Sequence, residues 1–174
     1  MKEVAIKTPL TDNIIHNLNI KELAKITGVV YTLRDASAVK LKEELSRKKK
    51  AGFNLDKGVI YFCGPSPTQK GKIIGSCGPT TSKRFEDYME ILMKAGVKGF
   101  IGKGPVSDTV VNMLKKHNGV YFVATGGAGA YLSTFVRSKE IIAYKDLGPE
   151  AVHKLEVKDF PTIVASAKGK TLFS

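Results

Sequence analysis

Apolar residues recur along this chain in two patterns, and the patterns take turns. Short runs of adjacent apolar and β-branched residues predict strands, and apolar residues three or four apart predict helices. Residues 3–7 alternate weakly and predict a strand. Thr11-Asp-Asn13 is a turn or cap before a short helix carrying Ile14, Ile15 and Leu18, and residues 21–25 are mixed. Residues 27–33 are β-branched and aromatic, a good strand that ends at Arg34-Asp35. Residues 36–50 predict a helix, with Leu41 and Leu45 four apart. Residues 52–57 read as a loop. Residues 59–63 predict an apolar strand closed by Gly64-Pro65-Ser66-Pro67, and residues 71–75 another short one.

The clearest helical stretch is 85–95, where Phe85, Tyr88, Met89 and Leu92 share one face. Residues 97–101 predict a strand ending in Gly102-Lys-Gly-Pro105. Residues 106–117 follow as a helix with Val110, Val111 and Leu114 inward. A β-rich run, 119–125, stops at Gly126-Gly-Ala-Gly-Ala130, whose small residues let backbone approach backbone or a ligand. Short strands are predicted at 141–145 and 154–158, and a last one at 160–165. There is no repeat of domain length, no low-complexity linker and no evident domain boundary.

Composition narrows the function classes. A chain of 174 residues, 43% hydrophobic and 25% charged, is that of one globular domain or a subunit of something larger. No apolar run approaches the roughly 20 residues of a membrane span. The first residues lack an apolar segment of the secretory kind, so the cytoplasm is the expected location. Two cysteines are too few for a disulfide framework or for an iron–sulfur cluster. The net charge of +12 allows nucleic acid, anionic lipid or an acidic partner. Its densest run, Arg47-Lys-Lys-Lys50, reads as the solvated, cation-rich end of a helix. No zinc finger or paired aromatic strand supports nucleic-acid binding.

One stretch organises the chemistry: Gly75-Ser-Cys-Gly-Pro-Thr-Thr-Ser-Lys-Arg84. It leads into the 85–95 helix, and Thr80, Thr81 and Ser82 are residue types that cap helices. No Glu or Gln falls three residues later, so it is not a capping box. Lys83 and Arg84 add cations near free backbone N–H groups. An anion site and an ordinarily capped helix are both open on that chemistry. Strands also end in Gly64-Pro65 and Gly104-Pro105, and Arg34 sits just after a strand. If these loops share one rim, Arg34, Thr80, Thr81, Arg84 and Lys103 converge. Three cations and two hydroxyls would suit a dicarboxylate, whereas Gly-Pro by itself is common turn chemistry.

These motifs, in this order, resemble a known family. Arg34-Asp35-Ala36, Gly64-Pro65, the 75–84 stretch, Ile101-Gly-Lys-Gly104, Gly126-Gly-Ala-Gly-Ala130 and Lys154-Leu-Glu-Val-Lys-Asp-Phe-Pro161 are similar to iron–sulfur hydro-lyases. Specifically, they resemble the β subunit, or carboxyl-terminal domain, of class I fumarate hydratases and L-tartrate dehydratases. The resemblance implies a single domain over 1–174, α/β in class: a swivelling β/β/α unit with a mixed sheet core and flanking helices. It implies reversible hydration of fumarate to malate, with tartrate dehydration or a non-catalytic anion-binding module as alternatives. It implies a [4Fe–4S] cluster held by a separate α subunit and not by this chain, in a hetero-oligomer built on a dimer. By motif, Arg34, Arg84 and Lys103 bind substrate carboxylate or hydroxyl, Thr80 transfers the proton, and Thr81 lies beside it. The chain departs from the family after Arg34-Asp35, where a histidine usually follows and Ala36-Ser-Ala-Val39 has none.

The remaining candidates read more plainly. Cys63 ends an apolar strand and is expected in the core, and Cys77 is a small packed side chain or a reactive one. His16, His117 and His153 lack metal-ligand spacing and are expected to be surface or structural. Asp35 is expected both to orient Arg34 and to cap the next helix. The 126–130 loop lacks the Lys-Ser/Thr ending of a P-loop, which leaves close packing as its expected role.

Overall fold

Runs in which every residue is apolar imply strands covered on both faces, and the sheet is built of such strands. The computed structural model describes residues 1–173. Five strands run parallel in spatial order: β1 (Glu3–Lys7), β2 (Leu23–Leu33), β3 (Val59–Phe62), β4 (Gly99–Gly102) and β5 (Val120–Val123). Parallel neighbours require crossovers, and three helices supply them. These are α2 (Asp35–Ser46), α3 (Glu86–Lys94) and α4 (Asp108–Lys116). A short α1 (Asp12–Asn17), capped by the Thr11 hydroxyl, precedes β2, and α5 (Gly129–Ser133) follows β5. The chain then forms β6 (Val136–Ala143), the 16-residue β7 (Val152–Ala167) and β8 (Lys170–Thr171). β7 pairs antiparallel with β5 on one side and with β2 on the other, so β2, β3, β4, β5 and β7 close on themselves.

Alternation along each strand separates two apolar cores. Val59, Tyr61, Ile101 and Phe122 face one way, with Ile15 of α1 and Leu132 of α5. Ile60, Phe62, Phe100 and Tyr121 face the other, against Leu41 of α2, Met89 of α3 and Leu114 of α4. Phe62 stacks on Phe85 with ring centroids 4.4 Å apart and lies 5.9 Å from Phe100. Burying each such ring stabilises the fold by about 1.5–3 kcal/mol. Truncating Phe85 to Ala, which also leaves a cavity, costs about 3–5 kcal/mol.

The α/β class and the mixed sheet with flanking helices are as expected, and the elements differ in several places. Residues 71–75 form no strand; Lys72 N closes a turn on Gln69 O, and Ile74 alone of the two isoleucines is buried. The three short strands predicted after residue 140 are β6 and the single long β7. Asp159, between two of the predicted strands, sits where the pairing with β2 shifts register, and its N–H is taken by the Thr27 hydroxyl. Helix α2 stops at Ser46, with Lys48 in a left-handed turn, so the 47–50 cations lie beyond the helix. The 85–95 helix is preceded by a 3₁₀ turn, Ser82–Phe85. Among the described residues, no helix is long and apolar enough to cross a membrane.

Between β6 and β7 a strap crosses α2. Tyr144 adopts left-handed backbone angles, and Lys145–Glu150 forms 3₁₀ turns. The strap meets α2 at residues 36, 40 and 44, which fall on one helical stripe. A Glu150 carboxylate oxygen accepts from Ala36 N at 3.1 Å, Lys40 pairs with Asp146 at 3.0 Å, and Tyr144 donates to Glu44 at 2.6 Å. The element carrying Arg34 and Asp35 at its start is thereby fixed along its length.

Candidate functional site

Because β2, β3, β4 and β5 are parallel, their carboxyl ends open on one rim, the usual place for a ligand in α/β proteins. Arg34 follows β2 directly and is the residue that flanks the start of α2. Its guanidinium lies across Gly64, the loop after β3. A Cβ at Gly64 would come within 2.8 Å of Arg34 Cγ and 2.9 Å of Nη1, so only glycine leaves that path open. Arg34 Nε is buried without a hydrogen-bond partner and lies 3.8 Å from an Asp35 carboxylate oxygen, within ion-pair but not hydrogen-bond range. The same carboxylate oxygen accepts from Arg84 Nη2. One acid therefore faces two guanidiniums, which leaves a net positive charge at this corner.

Thr80 is held by its backbone. Its N–H donates to Phe62 O at 2.7 Å, at the end of β3, and its carbonyl accepts from Lys103 N at 3.1 Å. Thr81 forms an isolated parallel bridge with Lys103, and Ser82 N donates to Lys103 O at 3.0 Å. The 80–82 loop thus behaves as a one-residue strand laid beside the end of β4. Lys103 is exposed, its stem rests on Gly126, and it takes part in none of the ion pairs among the described residues. All five expected residues, Arg34, Thr80, Thr81, Arg84 and Lys103, stand on this rim. Asp35, expected to orient Arg34, takes its hydrogen bond from Arg84, 49 positions away in sequence.

Of the two readings open for the 80–82 hydroxyls, ordinary helix capping is not made. Thr81 flanks the 3₁₀ turn without a side-chain hydrogen bond to it, because the loop backbone is committed to β3 and Lys103. The Ser82 hydroxyl is engaged by Tyr121 instead. The 126–130 loop packs closely, as expected: Gly129 O accepts from Cys77 N at 3.2 Å.

The cysteines face the core. Both are fully buried. Burial pushes the Cys77 thiol up to about 12 and the Cys63 thiol higher than its ordinary value, with Cys77 adding to the effect on Cys63. Thiols held protonated are poor metal ligands. No group of three or more Cys, His, Asp or Glu is placed to hold a metal ion among the described residues, so this chain's own residues do not fit a [4Fe–4S] cluster. His153 is buried, with its Nδ1 3.2 Å from the Thr32 hydroxyl, and desolvation holds its pKa below the usual value. Its role is structural.

Two contributors escaped the sequence. Tyr121 lies mid-strand in an apolar run, and Glu150 follows a Gly-Pro turn far from Ala36. Nothing local marks either one, since both act through partners distant in the chain.

The Fumarase C-terminus family model matches residues 1–174. The chain is 36% identical, over 151 residues, to the anaerobic class I fumarate hydratase of Escherichia coli K12, covering 85% of this chain and 28% of that protein. It is 34% identical to fumarate hydratase 2 of Leishmania major, covering 86% of this chain and 27% of that protein. It is 33% identical, over 162 residues, to the Methanocaldococcus jannaschii protein provisionally named L(+)-tartrate dehydratase subunit beta, covering 90% of this chain and 83% of that protein. The chain spans about three tenths of the length of the curated fumarate hydratases it matches.

Proposed function

This chain belongs to the Fumarase C-terminus family, and from that premise we propose that it is the β-subunit portion of a class I hydro-lyase that interconverts fumarate and malate. The observation that supports the reading is the rim itself, where Asp35 lies between Arg34 and Arg84 and the loop bearing Thr80 and Thr81 is bonded through its backbone to Lys103. Arg34, Arg84 and Lys103 clamp the substrate carboxylates, and the surplus positive charge favours a dianion. Bidentate guanidinium contacts fix the orientation of a planar carboxylate. Thr80 moves the proton, with Thr81 beside it. A threonine hydroxyl is a weak base alone, so a group from a partner α subunit activates it. The [4Fe–4S] cluster belongs to that subunit. Exposure of Thr81, Arg84 and Lys103 suits a half-site closed by a partner surface.

A second reading, the β subunit of an L-tartrate dehydratase, is supported by the relative so named, 33% identical over 162 residues. Both substrates are four-carbon dicarboxylates and suit the same cations. The test is to purify this chain with its α partner and assay fumarate and L-tartrate in parallel. Turnover of fumarate with kcat/KM well above that for tartrate supports the first reading, and the reverse ratio replaces it with the second. Turnover of neither, with the anions still bound, makes the chain a non-catalytic anion-binding module.

A further inference from the structure

We infer that Tyr121 is a positioning residue for the rim: its hydroxyl ties the loop bearing Thr80 to the loop bearing Lys103 and sets their spacing. The inference rests on the reading of the rim given above. Tyr121 is the second residue of β5, fully buried in the core beneath α3 and α4. Its hydroxyl oxygen lies 2.7 Å from Gly104 O and 2.9 Å from Ser82 Oγ. A phenol has one proton, and a carbonyl oxygen can only accept. Tyr121 therefore donates to Gly104, and the Ser82 hydroxyl donates to Tyr121. Burial pushes the phenol up, so it remains a donor through the neutral range.

The two anchored residues adjoin the proposed chemistry. Gly104 follows Lys103 directly, and Ser82 is two residues from Thr80. The backbone bonds Ser82 N to Lys103 O and Lys103 N to Thr80 O join the loops edge to edge at 3.0 and 3.1 Å. Tyr121 pins that pair from below. The Ser82 hydroxyl also packs closely on Gly102, where a Cβ would stand 1.7 Å from Ser82 Oγ. A wholly apolar residue at 121 would leave a buried serine hydroxyl and a carbonyl short of a partner, and the loops would move to satisfy them. Displacements of about 1 Å in a catalytic constellation lower rates by as much as about 10²-fold.

The experiment uses the enzyme assembled with its partner. Tyr121→Phe removes one oxygen and keeps the ring in the core, and Ser82→Ala removes the other hydroxyl without touching the ring. Both are expected to lower kcat for fumarate about 10- to 100-fold at a temperature well below their unfolding transitions, with KM changed much less. The double variant is expected to be no worse than the weaker single, because the two act through one chain of hydrogen bonds. A merely structural role would lower the melting temperature and leave kcat alone, so kcat within twofold of wild type in both singles overturns the inference. Should Tyr121→Phe fail to assemble, Ser82→Ala decides by the same criterion. Thr80→Val and Lys103→Ala are measured alongside. If they abolish activity while the Tyr121 and Ser82 variants do not, the positioning role alone fails. If Thr80→Val and Lys103→Ala are also silent, the reading of the rim fails and the inference falls with it.

Discussion

The rim and the strap both carry charges around α2, and they differ in how those charges are satisfied. Where the strap touches α2 the contacting groups are matched, Lys40 with Asp146, Glu44 with Tyr144 and Glu150 with the Ala36 N–H, while Lys145 stands exposed off these contacts. On the rim one carboxylate, Asp35, serves two arginines, and Lys103 pairs with no acid among the described residues. A matched set of charges stabilises a contact and has nothing left to offer. A surplus of cations held by backbone bonds costs some repulsion and leaves capacity for an anion. The contrast separates a charge cluster that fastens the fold from one that keeps positive charge in surplus.

That contrast can be broken or sharpened experimentally, beginning with the largest effect. The chain without its α partner is expected to give no fumarate turnover and no brown colour after anaerobic iron–sulfide reconstitution. Adding the partner should restore both. Turnover or a stoichiometric cluster signal from this chain alone would move the missing chemistry onto its own residues.

Next is Thr80→Val, expected to lower kcat by roughly 10²–10⁴-fold in the assembled enzyme, the range for a general acid–base group. KM should change much less, since the cations remain. Wild-type kcat in this variant transfers the proton step to another residue. Arg34→Ala, Arg84→Ala and Lys103→Ala should each lower kcat/KM by about 2–5 kcal/mol of binding. The melting temperature of Lys103→Ala should stay close to wild type, because Lys103 pairs with no acid among the described residues.

The strap should behave in the opposite sense. Glu150→Ala removes an acceptor from the first turn of α2 and should destabilise by about 0.5–2 kcal/mol, read by denaturant unfolding. Its kcat/KM should remain within about threefold of wild type. A loss of activity as large as that of Arg84→Ala, at unchanged stability, would erase the distinction between the two regions. The smallest effect concerns pH. His153 is buried and its folded pKa is depressed, so the fold favours the neutral ring. Its contribution is complete above the unfolded value, about 6.5, and is lost as pH falls toward the lower folded value. The melting temperature should therefore fall as pH drops below about 6.5, and fall less steeply in His153→Asn. Identical pH profiles would remove His153 from the balance.

Much of this arrangement was legible in the sequence. The apolar run 59–63 and the helical spacing of Phe85, Met89 and Leu92 state how each element buries its own side chains, and the structure agrees. The Gly-Pro loops and the cations beside them marked the rim, because parallel strands joined by helices must end on one side. The strand expected at 71–75 failed because two adjacent isoleucines satisfy strand propensity without any neighbour to pair with. Propensity describes a segment, and a strand needs a partner. The division of β7 into pieces failed for the converse reason, since the strand carries on through a register shift opposite Ile26 and Gly28 that only its pairing with β2 reveals.

By itself the sequence determined most of the helices and strands and which residues stand in the loops at the strand ends. Those properties are local: they follow from periodicity and from the geometry of short turns. Only the tertiary structure decided that β7 closes the sheet between β5 and β2, that Asp35 binds Arg84, and that Tyr121 lies under the loops of Thr80 and Lys103. Each of these joins residues tens of positions apart. Such pairings are selected by the packing of the whole sheet, and no stretch of chain carries them alone.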